Sequence, residues 1–335
     1  RMSENYNFVY ISSVAFDYSR SSTYLDPSAE PKYIINGGFI DRIRKIRQIL
    51  NTTNRHLNIF VVMSPSHSLV ILLKLFRVKK IILDAGWPLA DSTLNKFTIS
   101  SISKKLKNIA IDAITFRISN VILVESPEQE AHICKFYRVS KKKLRSIYTG
   151  VSIHRFDCDA KRPKELPNLV GRKNYMLFRG KMNKESGLNS ILDLYLSLPE
   201  DFFLVIATNK KIIKPLPERI IVLDRLLEDS EIKWLYENSI ASFGQFGNSR
   251  RMSRSIPHKF FESVEFNIPY LTPIYAPIKR LLGPEYKFWV TKQNHFDYEL
   301  LFKIEKFEYP LDLKKKLNSN YLQIQFNDAL RSLSR

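Results

Sequence analysis

The 335-residue sequence has few cysteines, few glycines and no long apolar run. Cys134 and Cys158 are too few for a disulfide framework, which favours a reducing compartment. No apolar run reaches the roughly 18–20 residues needed to cross a bilayer, because polar residues and a proline interrupt the most apolar segment, 57–76. The N-terminus lacks the apolar segment of a signal peptide. These absences predict a cytoplasmic protein, either soluble or attached peripherally to the inner face of the membrane.

Several common site motifs are also missing. The six histidines have no zinc-like spacing, and there is no Cys-x-x-Cys pair. The sequence contains no G-x-G-x-x-G, no Walker lysine motif and no serine-hydrolase elbow. We therefore expect no metal site and no resident cofactor.

Acidic residues are scarce relative to basic ones, since 53 Lys and Arg stand against 33 Asp and Glu, for a net charge of +20. Residues 1–150 contain 23 basic and 11 acidic residues, a net charge of +12. A field of this sign favours nucleic acid, acidic lipid headgroups or phosphorylated substrates. A lysine-rich genomic composition without functional meaning explains it equally well.

Short runs of β-branched and aromatic residues alternate with longer helical patterns. The apolar runs are continuous, as in strands covered on both faces, and the helical spacers indicate parallel βαβ units. The fold class is therefore α/β, with two Rossmann-like doubly wound domains facing each other across a cleft. We expect an N-terminal domain over 1–156, a linker over 157–173, a C-terminal domain over 174–308, and a helical end, 309–335, that packs back on the first domain. The predicted strands are 8–12, 58–63, 80–84, 120–125, 144–148, 175–179, 202–207, 219–223, 240–243, 269–272 and 288–291.

One stretch, 256–262, combines a helix start with charged side chains. Pro257 suits a first helical position, and the N–H groups that follow it, beginning with His258, point outward from the positive end of the helix dipole. Lys259 adds a positive charge there, which suits a phosphate group. Glu262 lies one turn deeper, where a carboxylate can accept hydrogen bonds from sugar hydroxyls. The alternative is an apolar helix face with an ordinary solvated Lys–Glu pair.

Two segments of the first half also end or begin predicted elements. Gly37 and Gly38 open a helix over 39–50 and would let a phosphate or sugar approach the backbone, although a plain turn is the alternative. That helix is basic, which fits either a membrane-surface face or a solvated face over a core. Asp84 ends a predicted strand, where it can contact an acceptor hydroxyl or cap the next helix.

In the second half, a basic turn follows the first predicted strand. Arg179, Gly180 and Lys181 begin this turn, and their charges can neutralise a diphosphate leaving group. The alternative is a basic surface turn.

Five segments share an order and spacing with one known family: Gly37-Gly38, Glu125-Ser126 with Gln129, Tyr148-Thr149-Gly150-Val151, Gly180-Lys181 through Gly187, and Pro257-His258-Lys259-Phe260-Phe261-Glu262 with Asn267-Ile268-Pro269. Together they resemble the GT-B glycosyltransferases, in particular the family-4-like group. The last segment resembles the family's donor motif, but Arg254 stands where that family has the first of two glutamates.

The resemblance implies a sugar transfer from a nucleotide-diphosphate sugar, UDP- or GDP-linked, to a hydroxyl acceptor. The diphosphate would be held without a metal by Lys259, Pro257, Arg179 and Lys181. Glu262 would hold ribose or sugar hydroxyls. The anomeric configuration would be retained.

For the acceptor, the resemblance implies a site in the first domain near Gly37, Gly38 and Asp84. A glycan or lipid-linked acceptor in cell-surface polysaccharide synthesis, and a possible anionic membrane surface, would fit the basic first domain. Two alternatives remain open. They are a non-catalytic subunit that binds sugar nucleotides or glycans, and a basic nucleic-acid-binding protein, although no nucleic-acid module is recognised.

Overall fold

The computed structural model describes residues 7–16, 19–25, 28–29, 31–92, 99–152, 154–171, 174–200, 202–212, 215–291, 296–303 and 306–333. The chain divides into two compact units. The first comprises Arg1–Thr149 and Ser319–Arg335, and the second comprises Gly150–Asn318. Residues 157–173, which the sequence suggested as a linker, fall within the second unit.

Both units alternate strands with helices. The elements of the first are β1 (Asn7–Ser12), α1 (Ser19–Tyr24), β2 (Lys32–Ile34), α2 (Phe39–Thr52), β3 (Asn58–Val62), α3 (His67–Leu75), β4 (Ile81–Gly86), α4 (Ile99–Ile118), β5 (Val121–Val124), α5 (Pro127–Tyr137) and β6 (Leu144–Ser146). Those of the second are β7 (Tyr175–Arg179), α6 (Leu188–Leu196), β8 (Phe203–Ala207), β9 (Ile220–Leu223), α7 (Asp229–Asn238), β10 (Ala241–Phe243), α8 (His258–Glu265), β11 (Tyr270–Pro273), α9 (Ala276–Leu282), β12 (Trp289–Val290), α10 (Glu299–Lys303) and α11 (Leu311–Leu317). The last helix, α12 (Ser319–Arg331), belongs to the first unit.

The first sheet is parallel and has the strand order β2-β1-β3-β4-β5-β6. Its central strands are fully buried, because helices α2 to α5 cover one face while α1 and α12 cover the other. On that second face Tyr24 of α1 stacks on Phe326 of α12. The sheet is therefore doubly wound, as predicted.

The second sheet is also parallel, with the order β12-β11-β10-β7-β8-β9. From β7 the chain moves outward through β8 and β9, and then returns to place β10 on the other side of β7. A crevice opens at the carboxyl ends of the strands where the order reverses in this way. In this unit the reversal lies between β7 and β10.

All eleven predicted strands are present, and the α/β class with two doubly wound sheets is confirmed. One strand was missed. The sequence before Gly37 reads as irregular, whereas α1 and β2 lie there. Strand β2 has only three residues and lies at the sheet edge with no fully buried side chain, so it lacks the apolar run that marks the others. Among the described residues, no helix is long and apolar enough to cross a membrane.

Candidate functional site

The reversal point of the second sheet brings together the two basic segments that the sequence singled out. Arg179 is the last residue of β7, and Gly244 follows β10. Lys259, in the first turn of α8, donates a hydrogen bond from Nζ to the Gly244 carbonyl oxygen at 3.3 Å. The Lys259 ammonium is also next to Gly180, where a Cβ atom would lie 3.5 Å from Nζ. The carboxyl edge of β7 and the start of α8 therefore form one site.

The Lys259 side chain is buried, and its charge is only weakly compensated. Nζ lies 4.0 Å from the centre of the Phe178 ring, in the range of a cation–π contact. Burial, followed by the positive charge of Arg179, lowers the pKa of Lys259 to about 7, although the charge of Glu262 opposes this shift. A buried ammonium in this setting gains more electrostatic stabilisation from a bound anion than an exposed ammonium does.

Glu262 lies on the same helix and is fully buried. Arg179 binds both carboxylate oxygens, with Nε 3.0 Å from Oε2 and Nη2 on Oε1. Arg155 donates from Nη1 to Oε1 at 2.6 Å, and the Tyr236 hydroxyl donates to Oε2 at 2.7 Å. His258 Nδ1 lies 3.2 Å from Oε1. The carboxylate therefore accepts hydrogen bonds from four side chains of its own unit.

This arrangement keeps Glu262 ionised. Burial would raise the pKa of its carboxyl group, but the charge of Arg179 and the hydrogen bond from His258 outweigh burial and hold the pKa well below its usual range. A carboxylate offers about four lone-pair positions, and the side chains around Glu262 use them. Direct binding of a sugar hydroxyl by Glu262, as expected from sequence, does not fit this saturation. Its observed contacts orient Arg179 and Arg155.

The predicted helix start is displaced by one residue. Helix α8 begins at His258, and Pro257 is the preceding cap residue, with φ −62° and ψ 138°. The Phe260 N–H donates to the Pro257 carbonyl oxygen at 2.9 Å. The N–H groups of His258 and Lys259 precede this bond, so the positive end of the helix lies beside the Lys259 ammonium.

A cavity of about 170 Å³ adjoins this site at the carboxyl ends of β7, β8 and β9. Thr208 follows β8 and is buried, and its hydroxyl has no hydrogen-bond partner among the described residues. Leu226 is 86% exposed on the wall of the cavity. The lining residues are Arg179, Gly180, Lys181, Ala207, Thr208, Asn209, Arg225, Leu226, Leu227 and Ile232.

One wall of the cavity is fixed by a network of ion pairs. Arg225 bonds Glu165 through Nε at 2.5 Å and through Nη2 at 2.9 Å. It also bonds Glu231 at the start of α7 through Nη1 at 2.8 Å and Nη2 at 2.6 Å. The Glu228 N–H donates to Glu231 at 3.1 Å. The loop that carries Leu226 is thus held between α7 and the segment that was expected to be a linker.

Asp84 does not occupy the position that the sequence suggested. Strand β4 continues to Gly86, two residues beyond the predicted strand end, so Asp84 lies inside the sheet layer. Its side chain is fully buried, and the Arg20 guanidinium donates to it from Nη2 at 2.8 Å and from Nε at 3.1 Å. Arg20 is also buried and donates to the Thr149 hydroxyl at 3.2 Å. Asp84 is a partner in a buried ion pair and does not face an acceptor hydroxyl.

Gly37 and Gly38 lie at the exposed start of α2, in the first unit. Gly37 has φ +98°, a left-handed value that favours glycine. The Gly38 N–H donates to Asp41 Oδ2 at 3.3 Å, and a Cβ at Gly37 would lie 3.2 Å from the same oxygen. A carboxylate therefore stands where the sequence suggested phosphate, and this start of α2 is a self-capped helix end.

In the first sheet, the reversal point lies between β1 and β3, and serines occupy it. The Ser13 N–H donates to Ser66 Oγ at 2.7 Å, and the Ser13 and Ser66 hydroxyls are 3.0 Å apart. Ser64 donates to the Ala85 carbonyl oxygen at 3.2 Å. Within the described parts of the chain, no group of three His, Cys, Asp or Glu side chains is arranged to hold a metal ion.

Solved structures resemble this chain over nearly its whole length. The Anabaena protein HepE, solved in complex with UDP and glucose, is 10% identical, and the match covers 98% of this chain and 100% of HepE with a TM-score of 0.65. Sucrose-phosphate synthase from Thermosynechococcus elongatus is 11% identical, with coverage of 98% and 99% and a TM-score of 0.66. The chain has the GT-B fold.

At this level of identity the GT-B fold does not by itself fix the reaction. A UDP-N-acetylglucosamine 2-epimerase is 10% identical to this chain, with a TM-score of 0.54 and coverage of 98% of this chain and 95% of that protein. No protein-family model matches the sequence, and no curated protein is significantly similar to it. The chemistry of the residues in the site therefore decides between these functions.

Several residues of this candidate site were missed from sequence. Arg155 and Tyr236 reach Glu262 from segments that are 107 and 26 residues away, and no local pattern marks either of them. Thr208 and Leu226 follow predicted strands, so their positions at carboxyl ends were a signal that could have been used. Arg225 and Glu231 lie six residues apart around a helix start, and the sequence analysis did not recognise them as an ion pair.

Proposed function

We propose that this protein is a glycosyltransferase whose second unit binds a nucleotide-diphosphate sugar. The observation that carries the proposal is the position of Lys259 and Arg179 at the reversal point of the second sheet, next to the cavity and to the start of α8. This is the edge at which open α/β sheets bind ligands. The full-length likeness to HepE, which was solved with UDP and glucose, supports the same class of ligand.

The diphosphate is placed against Lys259, Gly180 and the first N–H groups of α8. Gly180 lacks a side chain next to the ammonium, so a phosphate can approach it closely. The ammonium and the helix N–H groups favour negative charge, and more strongly in a site from which water is excluded. These fixed charges, with Lys181 at the rim, stabilise the nucleoside diphosphate as it leaves the anomeric carbon. We infer that these fixed charges replace the metal ion that stabilises the leaving diphosphate in other transferases.

The nucleobase is assigned to the cavity. About 170 Å³ is below the roughly 300–1,000 Å³ of a pocket for a complete ligand, so it suits one ring system, with phosphates and sugar lying outside. Its walls combine the apolar side chains of Leu226 and Leu227 with the hydroxyl of Thr208. A buried hydroxyl that has no partner in the described part of the chain gains a hydrogen bond when a base edge enters. The HepE complex favours uridine as the nucleoside.

Glu262 acts through the arginines it holds. Its carboxylate fixes the Arg179 guanidinium at the end of β7 and draws Arg155 to the same point. Glu262 is thus a positioning residue in this proposal, and Arg179 and Lys259 are the groups that face the donor.

The acceptor in this proposal is a hydroxyl group. We assign it to the first unit, at the serine-lined reversal point around Ser13 and Ser66. A hydroxyl acceptor on a glycan or a lipid-linked sugar, as used in polysaccharide synthesis, fits hydroxyl partners there. Retention of the anomeric configuration is the outcome that the sequence resemblance favours.

A thermal-shift panel tests the donor assignment. The purified protein is heated with UDP, GDP, ADP or CMP, each in the presence of EDTA. A ligand that binds only the native state raises the melting temperature by mass action. We expect UDP to raise it, and Lys259→Ala to abolish the rise while Lys316→Ala, an exposed lysine of α11, preserves it. A rise that is equal in both variants contradicts the assignment.

The similarity to an epimerase supports a second candidate, in which the same site inverts a carbon of the bound sugar or releases UDP hydrolytically. Incubation with UDP-sugars, followed by product analysis, distinguishes these reactions. Transfer yields UDP only when an acceptor is present, whereas epimerisation or hydrolysis yields product without one. Tight UDP binding with no product under any of these conditions would favour a non-catalytic binding subunit.

A further inference from the structure

The strand order of the second sheet gives the proposed donor a direction. The cavity assigned to the nucleobase lies at the carboxyl ends of β7, β8 and β9, and the diphosphate is placed at β7 and the start of α8. On the other side of β7 the sheet continues through β10 and β11, away from the cavity. The sugar is joined to the phosphate that is farther from the base. It therefore extends toward the loops that follow β10 and β11.

The loop after β10, residues 244–257, is held against its neighbours on two sides. The Gly247 N–H donates to the Glu185 carbonyl oxygen at 3.0 Å, and a Cβ atom at Gly247 would clash with the Lys184 carbonyl oxygen. From the other side, the hydroxyl of Tyr275, which follows β11, donates to the Gly247 carbonyl oxygen at 3.0 Å. This loop, called the β10 loop below, is therefore a fixed wall on the sugar side of the diphosphate.

The β10 loop is basic. It contains Arg250, Arg251 and Arg254 and no acidic residue. The first two begin the short 3₁₀ turn Arg250–Ser253, and the Arg254 N–H donates to the Arg251 carbonyl oxygen at 2.9 Å. Arg250 is exposed, whereas Arg254 is half-buried. Three guanidinium groups are thus carried within five residues, directly before the start of α8.

Glu185 is the one acidic residue of the turn that contacts this loop, residues 180–187. Its carboxylate lies 3.4 Å from Arg251 Nη1 and accepts a hydrogen bond from Ser249 Oγ at 3.3 Å. The turn and the β10 loop together hold five basic residues and one acidic residue, a net charge of +4. Because the diphosphate is already placed against Lys259 and the start of α8, this charge favours a second anionic group on the same ligand.

We propose that the sugar of the donor carries a carboxylate, as a hexuronic acid does, and that Arg250 and Arg254 bind it. This assignment rests on the proposed donor site and names the class of its sugar. A guanidinium presents N–H donors in a planar fork that matches the two oxygens of a carboxylate. A neutral hexose offers the same arginines only hydroxyl oxygens, which bind a guanidinium more weakly than an ionised carboxylate does.

Isothermal titration with matched pairs of donors tests the proposal. UDP-glucuronic acid is compared with UDP-glucose, and UDP-galacturonic acid with UDP-galactose, at pH 6.5 and with EDTA. Each pair differs only in the carboxylate that replaces a hydroxymethyl group. We expect at least one uronic acid to bind about tenfold or more tightly than its neutral partner, because it gains a charge-assisted hydrogen bond. Equal affinities within both pairs would overturn the proposal.

Paired substitutions identify the residues responsible. Arg250→Gln with Arg254→Gln should abolish the preference for the uronic acid and leave the affinity for UDP itself unchanged. The matched control, Lys279→Gln with Arg280→Gln, also removes two exposed positive charges, on the last turn of α9, and should keep the preference. Arg250→Lys with Arg254→Lys, which keeps both charges, should retain part of it. This second pair separates the loss of charge from a disturbed fold.

The remaining outcomes separate this assignment from the donor site itself. A preference that survives in the glutamine pair would overturn the role of the two arginines, and so would a glutamine pair that weakens UDP as much as the uronic acid. A wild type that binds UDP but discriminates within neither pair would refute the acidic sugar alone. A wild type that binds no UDP would refute the donor site, and the acidic sugar with it.

Discussion

The Arg179 guanidinium donates hydrogen bonds to both carboxylate oxygens of Glu262. Its Nε lies 3.0 Å from Oε2, and its Nη2 donates to Oε1. The charge of Arg179 is therefore largely balanced within the protein. Lys259, by contrast, rests on an aromatic ring and a backbone carbonyl. Because the protein compensates the charge of Lys259 less than that of Arg179, a bound diphosphate would mainly balance the charge of Lys259.

Removal of the Glu262 carboxylate should lower the free energy of unfolding strongly. Glu262→Ala leaves Arg179 and Arg155 without their shared carboxylate in a buried position, which should cost about 3–5 kcal/mol of unfolding free energy. Urea denaturation measures this loss, with Glu299→Ala, which breaks an exposed pair with Lys303, as the control. A loss no larger than that of the control would show that the carboxylate is dispensable for the position of the arginines.

Binding of UDP should take up protons near neutral pH. The free protein loses the Lys259 proton as pH rises through about 7, whereas a bound diphosphate raises the pKa and retains the proton. The affinity should therefore fall above pH 7, and uptake should approach about one proton per site by pH 8.5. Calorimetry in buffers of different ionisation enthalpy counts these protons. Lys259→Arg, which stays charged, should bind UDP without this pH dependence; an unchanged pH profile would implicate another group.

Thr208 should contribute to base recognition without contributing to folding. Thr208→Val keeps the side-chain shape but removes a hydroxyl that has no partner among the described residues. We expect UDP affinity to fall by about fivefold to tenfold with no loss of unfolding free energy, because only the hydrogen bond to the ligand disappears. Ser242→Ala removes another buried hydroxyl without a described partner, outside the cavity lining, and should leave affinity unchanged. Equal effects of the two changes would argue against the cavity as the base site.

The Arg20–Asp84 pair should be structural. Asp84→Ala leaves a buried guanidinium without its carboxylate and should lower the unfolding free energy by about 3–5 kcal/mol. The double change Arg20→Met with Asp84→Leu should restore much of this, since it removes both charges. Calorimetric UDP binding should be the same in the double variant as in the wild type. A double variant that folds normally and binds UDP but no longer transfers sugar to an acceptor would return Asp84 to the acceptor site.

Local patterns in the sequence sufficed for most of the fold. The continuous apolar runs marked every strand with a buried centre, whereas β2, short and at an edge, carried no such run. For the site, Lys259 and Arg179 were found because helix starts and strand ends have local signatures. Their burial and the saturation of Glu262 were not foreseen, because Arg155 and Tyr236 arrive from distant parts of the chain. Asp84 was misassigned because its partner Arg20, 64 residues away, leaves no trace in the local sequence.

We infer that Lys259 at the reversal point of the second sheet holds a nucleoside diphosphate. Isothermal titration of UDP into the wild type, Lys259→Ala and Lys316→Ala, at pH 6.5 and with EDTA, tests it most directly. Loss of a charge-assisted hydrogen bond in a buried site is worth about 1.5–3 kcal/mol, so Lys259→Ala should weaken binding by about tenfold to a hundredfold. Lys316→Ala should bind as the wild type does. Undiminished affinity in Lys259→Ala, or no saturable binding by the wild type, would refute this role of Lys259.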